Sequence, residues 1–311
     1  MDGVAEILAT LRDLRRLPAA LVDVGYAHSD VPFIPFHPGP KVPLAAVDCG
    51  VARLGETRGG VVVALRASLV VDSSVQLFRT GPLLLPNSQK AQVLFRIGHD
   101  LGQADLLVSS KDGDLSLRRG AAADAHVLMD RLRNWLERRV QLIAARSIEG
   151  GLVLFDGALT ATTRDTPRRY LERLARVASR HGNDLVALSK ESALDVEGVP
   201  LHYRLDDVPS VPGYRLVAPA SSRLLGNVFA ARLSPLGPTL RVDVKGDDAT
   251  LSRLFGSATL RGGYPEVLAR AHALSVFPAS TVLEMRARLG VRPERELALA
   301  GALGPFDERF R

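Results

Sequence analysis

Two short stretches of the sequence share one form: an apolar run, then aspartate, then small residues. They are LAAVDCG, which carries Asp48, and GLVLFDG, which carries Asp156. A carboxylate at the C-terminal edge of a buried strand lies at a sheet rim, where open α/β sheets place ligands. Two such strands side by side bring two carboxylates together, and these must share a proton or hold a cation. Hard divalent ions such as Mg²⁺ or Mn²⁺ answer that need. Taken singly, each stretch also reads as a strand closed by a turn signal, with no chemistry.

The elements that must position these aspartates can be read from hydrophobic period and from punctuation. Residues 4–17 have helical spacing and stop at Pro18, and the proline-rich stretch at 31–43 reads as an extended connector. Strands are expected at 43–50 and 59–74, with a third at 76–79, as a meander opening a sheet. The clearest helix covers 121–147, with Leu128, Leu132, Trp135, Leu136, Val140 and Ile143 on one stripe. It leads into the strand LVLFD, a second helix beginning at Pro167 and a strand at 184–190. Strand–helix–strand at this spacing implies parallel pairing. Further strands are expected at 226–233 and 239–244, then two helices starting at Pro265 and near Ser280. No composition shift marks a firm domain boundary.

Composition narrows the class. Lys and Arg outnumber Asp and Glu by 40 to 34, a net charge of +6 that suits a polyanionic partner. The single cysteine, Cys49, excludes an internal disulfide and any Cys-based zinc site. The acidic N-terminal stretch is unlike a signal peptide. The most apolar run, at 61–71, is too short to cross a bilayer and is interrupted by Arg66. A cytoplasmic protein that does not enter membranes is expected. There is no Gly-x-x-x-x-Gly-Lys-Ser/Thr phosphate loop, no Gly-x-Ser-x-Gly elbow and no His-Glu-x-x-His.

Three segments together resemble the NurA family of DNA-repair nucleases: AAVDCG, LVLFDGAL and GGYPEVLARAHALS, within a likeness that spans roughly residues 44–285. The resemblance implies an α/β fold, a ribonuclease H-like (PIWI-like) mixed sheet flanked by helices. It would form a single nuclease domain over 44–311, preceded by a helical and extended arm over 1–43. It implies that Asp48 and Asp156 are metal ligands and catalytic residues, joined by His272 and by a glutamate on the helix before Asp156. Glu137 is the best match by distance, with Asp124 and Asp130 as competitors on the same helix. On the residues alone, His272 sits at the margin of the stripe Val267, Leu268, Ala271, Leu274, where packing is the commoner role. Lys190 and Arg66 are candidate DNA contacts, although a solvated strand-end lysine and a wet-face arginine are the plainer readings. Cys49-Gly50 departs from the family's usual Gly-Ser after the first aspartate.

The activity so implied is Mn²⁺-dependent hydrolysis of DNA, with Mg²⁺ as the alternative ion. It would be a 5′-to-3′ exonuclease with endonuclease action on single strands, serving end resection and double-strand break repair. The implied partners are DNA, a hexameric HerA-type ATPase translocase and a second copy of the chain in a homodimer. Leu299, Leu303, Phe306 and Phe310 are candidates for such contacts. Two rivals stay open: a non-catalytic DNA-binding scaffold on the same core, and a phosphohydrolase acting on small nucleotides.

Overall fold

The structure is a computed structural model that describes residues 32–57, 60–86, 125–161, 168–190, 192, 195–196, 199–200 and 211–290. The expected N-terminal helix at 4–17, Asp124 and the C-terminal apolar residues lie outside the described residues. By packing, the chain divides into two compact units. One is built from residues 1–45 and 145–267, the other from 46–144 and 268–311.

In the first unit six strands lie in the order β1-β9-β10-β11-β6-β5. They are β1 (Ile34–Pro35), β5 (Leu152–Asp156), β6 (Asp184–Ser189), β9 (Gly213–Ala218), β10 (Asn227–Arg232) and β11 (Thr239–Lys245). β5 and β6 pair in parallel, with Asp156 opposite Leu188, whereas β6, β11, β10, β9 and β1 pair antiparallel. The sheet is therefore mixed. Leu152–Phe155 and Leu185–Leu188 are buried without interruption, the pattern of strands covered on both faces. The helix expected from Pro167 links them: α2 (Arg168–Arg180) buries Tyr170, Leu171, Leu174 and Ala178. Asn183 then fixes the start of β5, accepting from the Gly151 amide at 2.8 Å and donating to the Ala145 and Ile148 carbonyls. Leu152 N also donates to Pro43 O at 2.9 Å, so β5 opens beside the residue that precedes β2 (Leu44–Thr57).

The second unit carries the remainder of β2 with β3 (Gly60–Val71) and β4 (Ser74–Pro86), in the order β2-β3-β4. α1 (Ala125–Ala144) packs on β3 and β4 through its apolar stripe, with Leu132, Trp135 and Val140 fully buried. α4 (Glu266–Ser275) and α5 (Ala279–Arg288) follow near the expected starting points. Ser68 Oγ donates to Ala271 O at 2.6 Å, tying β3 to α4. Phe277, Val282 and Met285 pack on Ala52, Leu54 and Ala64.

Two strands outrun their expected ends. β2 continues to Thr57, so Asp48 is its fifth residue and not its last. Gly50, taken above for a stop, lies inside the strand because a Cβ there would stand 2.4 Å from Ser275 O. The glycine lets backbone approach backbone. β4 likewise runs on to Pro86, past the expected end at Arg79 and through the Gly81-Pro82 pair. β9 and α3 (Thr250–Ser257) are among the elements that lack a sequence signal strong enough to find them. α3 is eight residues long and contains Gly256. Among the described residues, no helix is long and apolar enough to cross a membrane.

Candidate active site

Within the second unit, Asp48 projects from β2 into a cluster of donors. Ser275 Oγ donates to Asp48 Oδ2 at 2.8 Å, His272 Nδ1 lies 2.8 Å from the same oxygen, and the Cys49 amide donates to Oδ1 at 2.8 Å. His272 and Ser275 are neighbours because they stand three residues apart on α4. Burial is the largest influence on the Asp48 carboxyl and disfavours its charge. The hydrogen bonds from His272, Ser275 and Cys49, with the His272 charge, outweigh it and hold the carboxyl below its usual value. Asp48 is therefore ionised at neutral pH.

The His272 ring is half exposed, at 53%, against 14% for Asp48. With Nδ1–H donating to the carboxylate, a neutral ring carries its lone pair on Nε2, the atom able to bind a cation. A carboxylate that orients an imidazole in this way is the usual support of a metal-binding histidine.

Side chains alternate across a strand, so Cys49 points opposite to Asp48, toward the α1 side. Its thiol is 2% exposed and is pushed far up, first by burial and then by the Glu137 charge, with Arg133 opposing and Asp48 adding a smaller push. Glu137 therefore faces the strand at the residue next to Asp48. Gln141 Nε2 donates to Glu137 Oε1 at 3.1 Å and steadies it. Asp130 is exposed and two helical turns away, about 10 Å along the axis. Glu137 thus lies beside Cys49, whereas the Asp48 carboxyl points to the other face of β2. The thiol has the opposite character to a nucleophile. Cys49 in the folded chain should react with maleimide at least roughly 100-fold more slowly than in denaturant, because so little thiolate forms. Comparable labelling rates with and without denaturant would contradict this placement.

Arg66, on β3, lies directly opposite Arg79 on β4, and its guanidinium stacks over the Phe277 ring at 4.2 Å from the centroid. Burial first, then the Arg79 charge, lowers its pKa. Its guanidinium lies against the face of an aromatic ring.

Within the first unit, Asp156 is exposed at the C-terminal end of β5. Gly157 N donates to Leu188 O at 2.9 Å, which carries the chain into the loop behind the aspartate. That loop is clamped from β11. Asp243 is 1% exposed; Arg241 Nε and Nη2 donate to its two oxygens at 2.6 and 2.8 Å, and Leu159 N donates to Oδ2 at 2.9 Å. Arg241 Nη2 also donates to Thr160 Oγ1 at 2.6 Å. Lys190, just past β6, holds its ammonium 4.5 Å above the Tyr264 ring. Tyr264 belongs to the GGYP element, whose Gly262 and Gly263 have φ of 57° and 79° in the turn joining β12 (Leu260–Arg261) to β13 (Tyr264–Pro265). A Cβ on Gly263 would also meet Gly237 Cα at 2.6 Å.

Ser275, Asp243 and Arg241 were not singled out from sequence. Ser275 had a usable signal, three residues after His272 on one helix face. Arg241 and Asp243 also had one: opposite charges two residues apart in an otherwise apolar strand. Among the described residues, no three His, Cys, Asp or Glu side chains are gathered closely enough to hold a metal ion. The ionised Asp48 carboxylate and the His272 imidazole still offer oxygen and nitrogen that suit a divalent ion.

The elements define an α/β chain of the ribonuclease H-like class, with a mixed sheet flanked by helices. Solved structures share that fold. The NurA nuclease from Sulfolobus solfataricus superposes over 95% of this chain and 96% of its own, with a TM-score of 0.55 and 14% identity. NurA with manganese covers 91% of this chain and 96% of its own (TM-score 0.53, 12% identity). NurA bound to dAMP and manganese covers 99% and 98% (TM-score 0.52, 11% identity). No protein-family model matches the sequence, and no curated protein matches it either. At these identities the likeness is one of fold.

Proposed function

We propose that the chain is a metal-dependent DNA nuclease, and one observation carries the reading. On a NurA-like fold, the carboxylate of Asp48 is held ionised against His272 and Ser275 of the helix that begins in the GGYPEVLARAHALS element. Asp156 joins as the second aspartate on the strength of the sequence resemblance. Glu137 and His272 complete the proposed ligand set.

A bound divalent ion would supply Lewis-acid polarisation of the phosphodiester and a nucleophilic water at neutral pH. The protein's part is placement. Asp48 supplies negative charge, Ser275 and the Cys49 amide fix the orientation of its carboxyl, and Asp48 in turn fixes the His272 ring. Ser275 also provides a hydroxyl beside the first aspartate. Cys49-Gly50 had removed that group from the strand; here a helix supplies it. Lys190 and Arg66 are proposed to meet phosphates.

The ion proposed is Mn²⁺, in keeping with the imidazole ligand and with the manganese in two of the structural neighbours. The finer reading is 5′-to-3′ exonuclease with single-strand endonuclease action, in end resection and double-strand break repair in the cytoplasm. It includes a homodimer working with a HerA-type hexameric ATPase. The test is degradation of end-labelled DNA with Mn²⁺ and with chelator, by wild type and Asp156→Ala. Wild type is expected to degrade DNA only with metal, and the variant not at all. Equal activity in both would remove the enzyme reading.

A further inference from the structure

α2 is amphipathic in an unusual sense: the side opposite its apolar stripe is a row of arginines. At about 100° per residue, Arg169, Arg173, Arg176 and Arg180 fall within roughly 60° of one another. All four are exposed, while Tyr170, Leu171, Leu174 and Ala178 bury the other side. The row is about 16 Å long, at 1.5 Å rise per residue.

Ordinary surface helices intersperse acids with bases, and the pairs neutralise one another. Here the helix has a single acidic residue, Glu172, and its carboxylate accepts from Arg168 Nε at 2.9 Å, off the row. Arg176 Nε reaches only the Glu172 carbonyl, at 3.4 Å. Among the described residues, Arg173 and Arg180 enter no ion pair. Beside the row, Arg168, Glu172, Arg176, Leu225 and Lys245 line an open groove of ≈ 510 Å³, and Lys245 adds a further cation.

We propose that this face of α2 is a sequence-independent docking surface for the phosphate backbone of DNA, made of residues none of which belongs to the Asp48 site. The inference rests on the reading that the chain handles DNA. Arginine forks match phosphate oxygens two at a time. The length of the row corresponds to about five phosphates of one B-form strand. No aromatic side chain lies on it for bases to stack on, so contact is with the backbone and not with sequence. An acidic protein partner fits less well, because specific protein interfaces place apolar residues at their centre and this row has none.

The experiment follows binding of a fluorescent duplex by anisotropy, in chelator, across a potassium chloride series. It compares the full chain with a variant carrying R169Q, R173Q, R176Q and R180Q. The glutamine variant is expected to lower the slope of log affinity against log salt by about 2 to 4, and to bind at least roughly 10-fold more weakly near 0.1 M salt. Its unfolding midpoint should stay unchanged, and four lysines at the same positions should keep the slope. An unchanged slope and affinity would overturn the proposal, as would a lysine variant as weak as the glutamine one. Asp48→Asn separates this surface from the nuclease reading. Binding that depends on the row, with no cleavage by wild type, would keep the surface and remove the nuclease. Cleavage by wild type, with binding indifferent to the row, would do the reverse.

Discussion

Asp48→Asn is expected to reduce metal-dependent DNA cleavage by on the order of 10³-fold. Charge stabilisation through a bound cation contributes several kcal/mol to such a reaction, and each 1.36 kcal/mol is tenfold in rate. Asparagine removes the negative charge and keeps the shape. It also leaves one acceptor oxygen where the carboxylate offers two, so His272, Ser275 and the Cys49 amide cannot all be satisfied. A stability loss of about 1 to 3 kcal/mol should therefore accompany the loss of activity. The two effects separate by comparison with Ser275→Ala, which removes one donor, leaves the charge and should lose activity no more than about 10- to 100-fold. Near-normal turnover by the asparagine variant, in a chain shown to be folded, would mean that the carboxylate takes no part in the chemistry.

The largest stability effect is expected elsewhere, at Asp243→Ala. Removing one partner of a buried ion pair leaves the other charge stranded and costs about 3 to 5 kcal/mol. Asp243 is 1% exposed and Arg241 8%, and the pair is bidentate. The substitution also takes the acceptor from Leu159 N, in the loop directly after Asp156. Total stabilities are only about 5 to 15 kcal/mol, so the denaturation midpoint should fall sharply. Replacing both partners with apolar residues, Arg241→Met with Asp243→Leu, should recover much of the loss, because no stranded charge remains. A cost below about 1 kcal/mol for Asp243→Ala would show that the clamp contributes little.

Much of this architecture was legible because its signals are local. The uninterrupted apolar runs of β5 and β6, with a helix between them, announce a parallel pair, and the pair is there. The stripe of α1 announces the face it buries. What escaped reading depends on partners distant along the chain. Gly50 looks like punctuation until the Ser275 carbonyl is known to lie against it. Arg241 and Asp243 look like surface charges until the loop after Asp156 is seen to cap them. The division into two units left no mark in composition because each unit is made from separated lengths of chain, and a boundary falls within β2 itself. The Asp48–His272 hydrogen bond is the clearest gain of the structure. Sequence had proposed Asp48 from its place in an apolar strand and His272 from the resemblance, and geometry now joins them.

The spacing of that hydrogen bond along the polypeptide has a consequence for biosynthesis. His272 is 224 residues from Asp48, and Ser275 is 227. A ribosome elongates at about 5 to 20 residues per second, so Asp48 waits many seconds for its two helical partners to be made. A nascent or prematurely terminated chain that lacks them has the first aspartate without its orienting groups. The proposed site is thus incomplete until the chain has been made past Ser275.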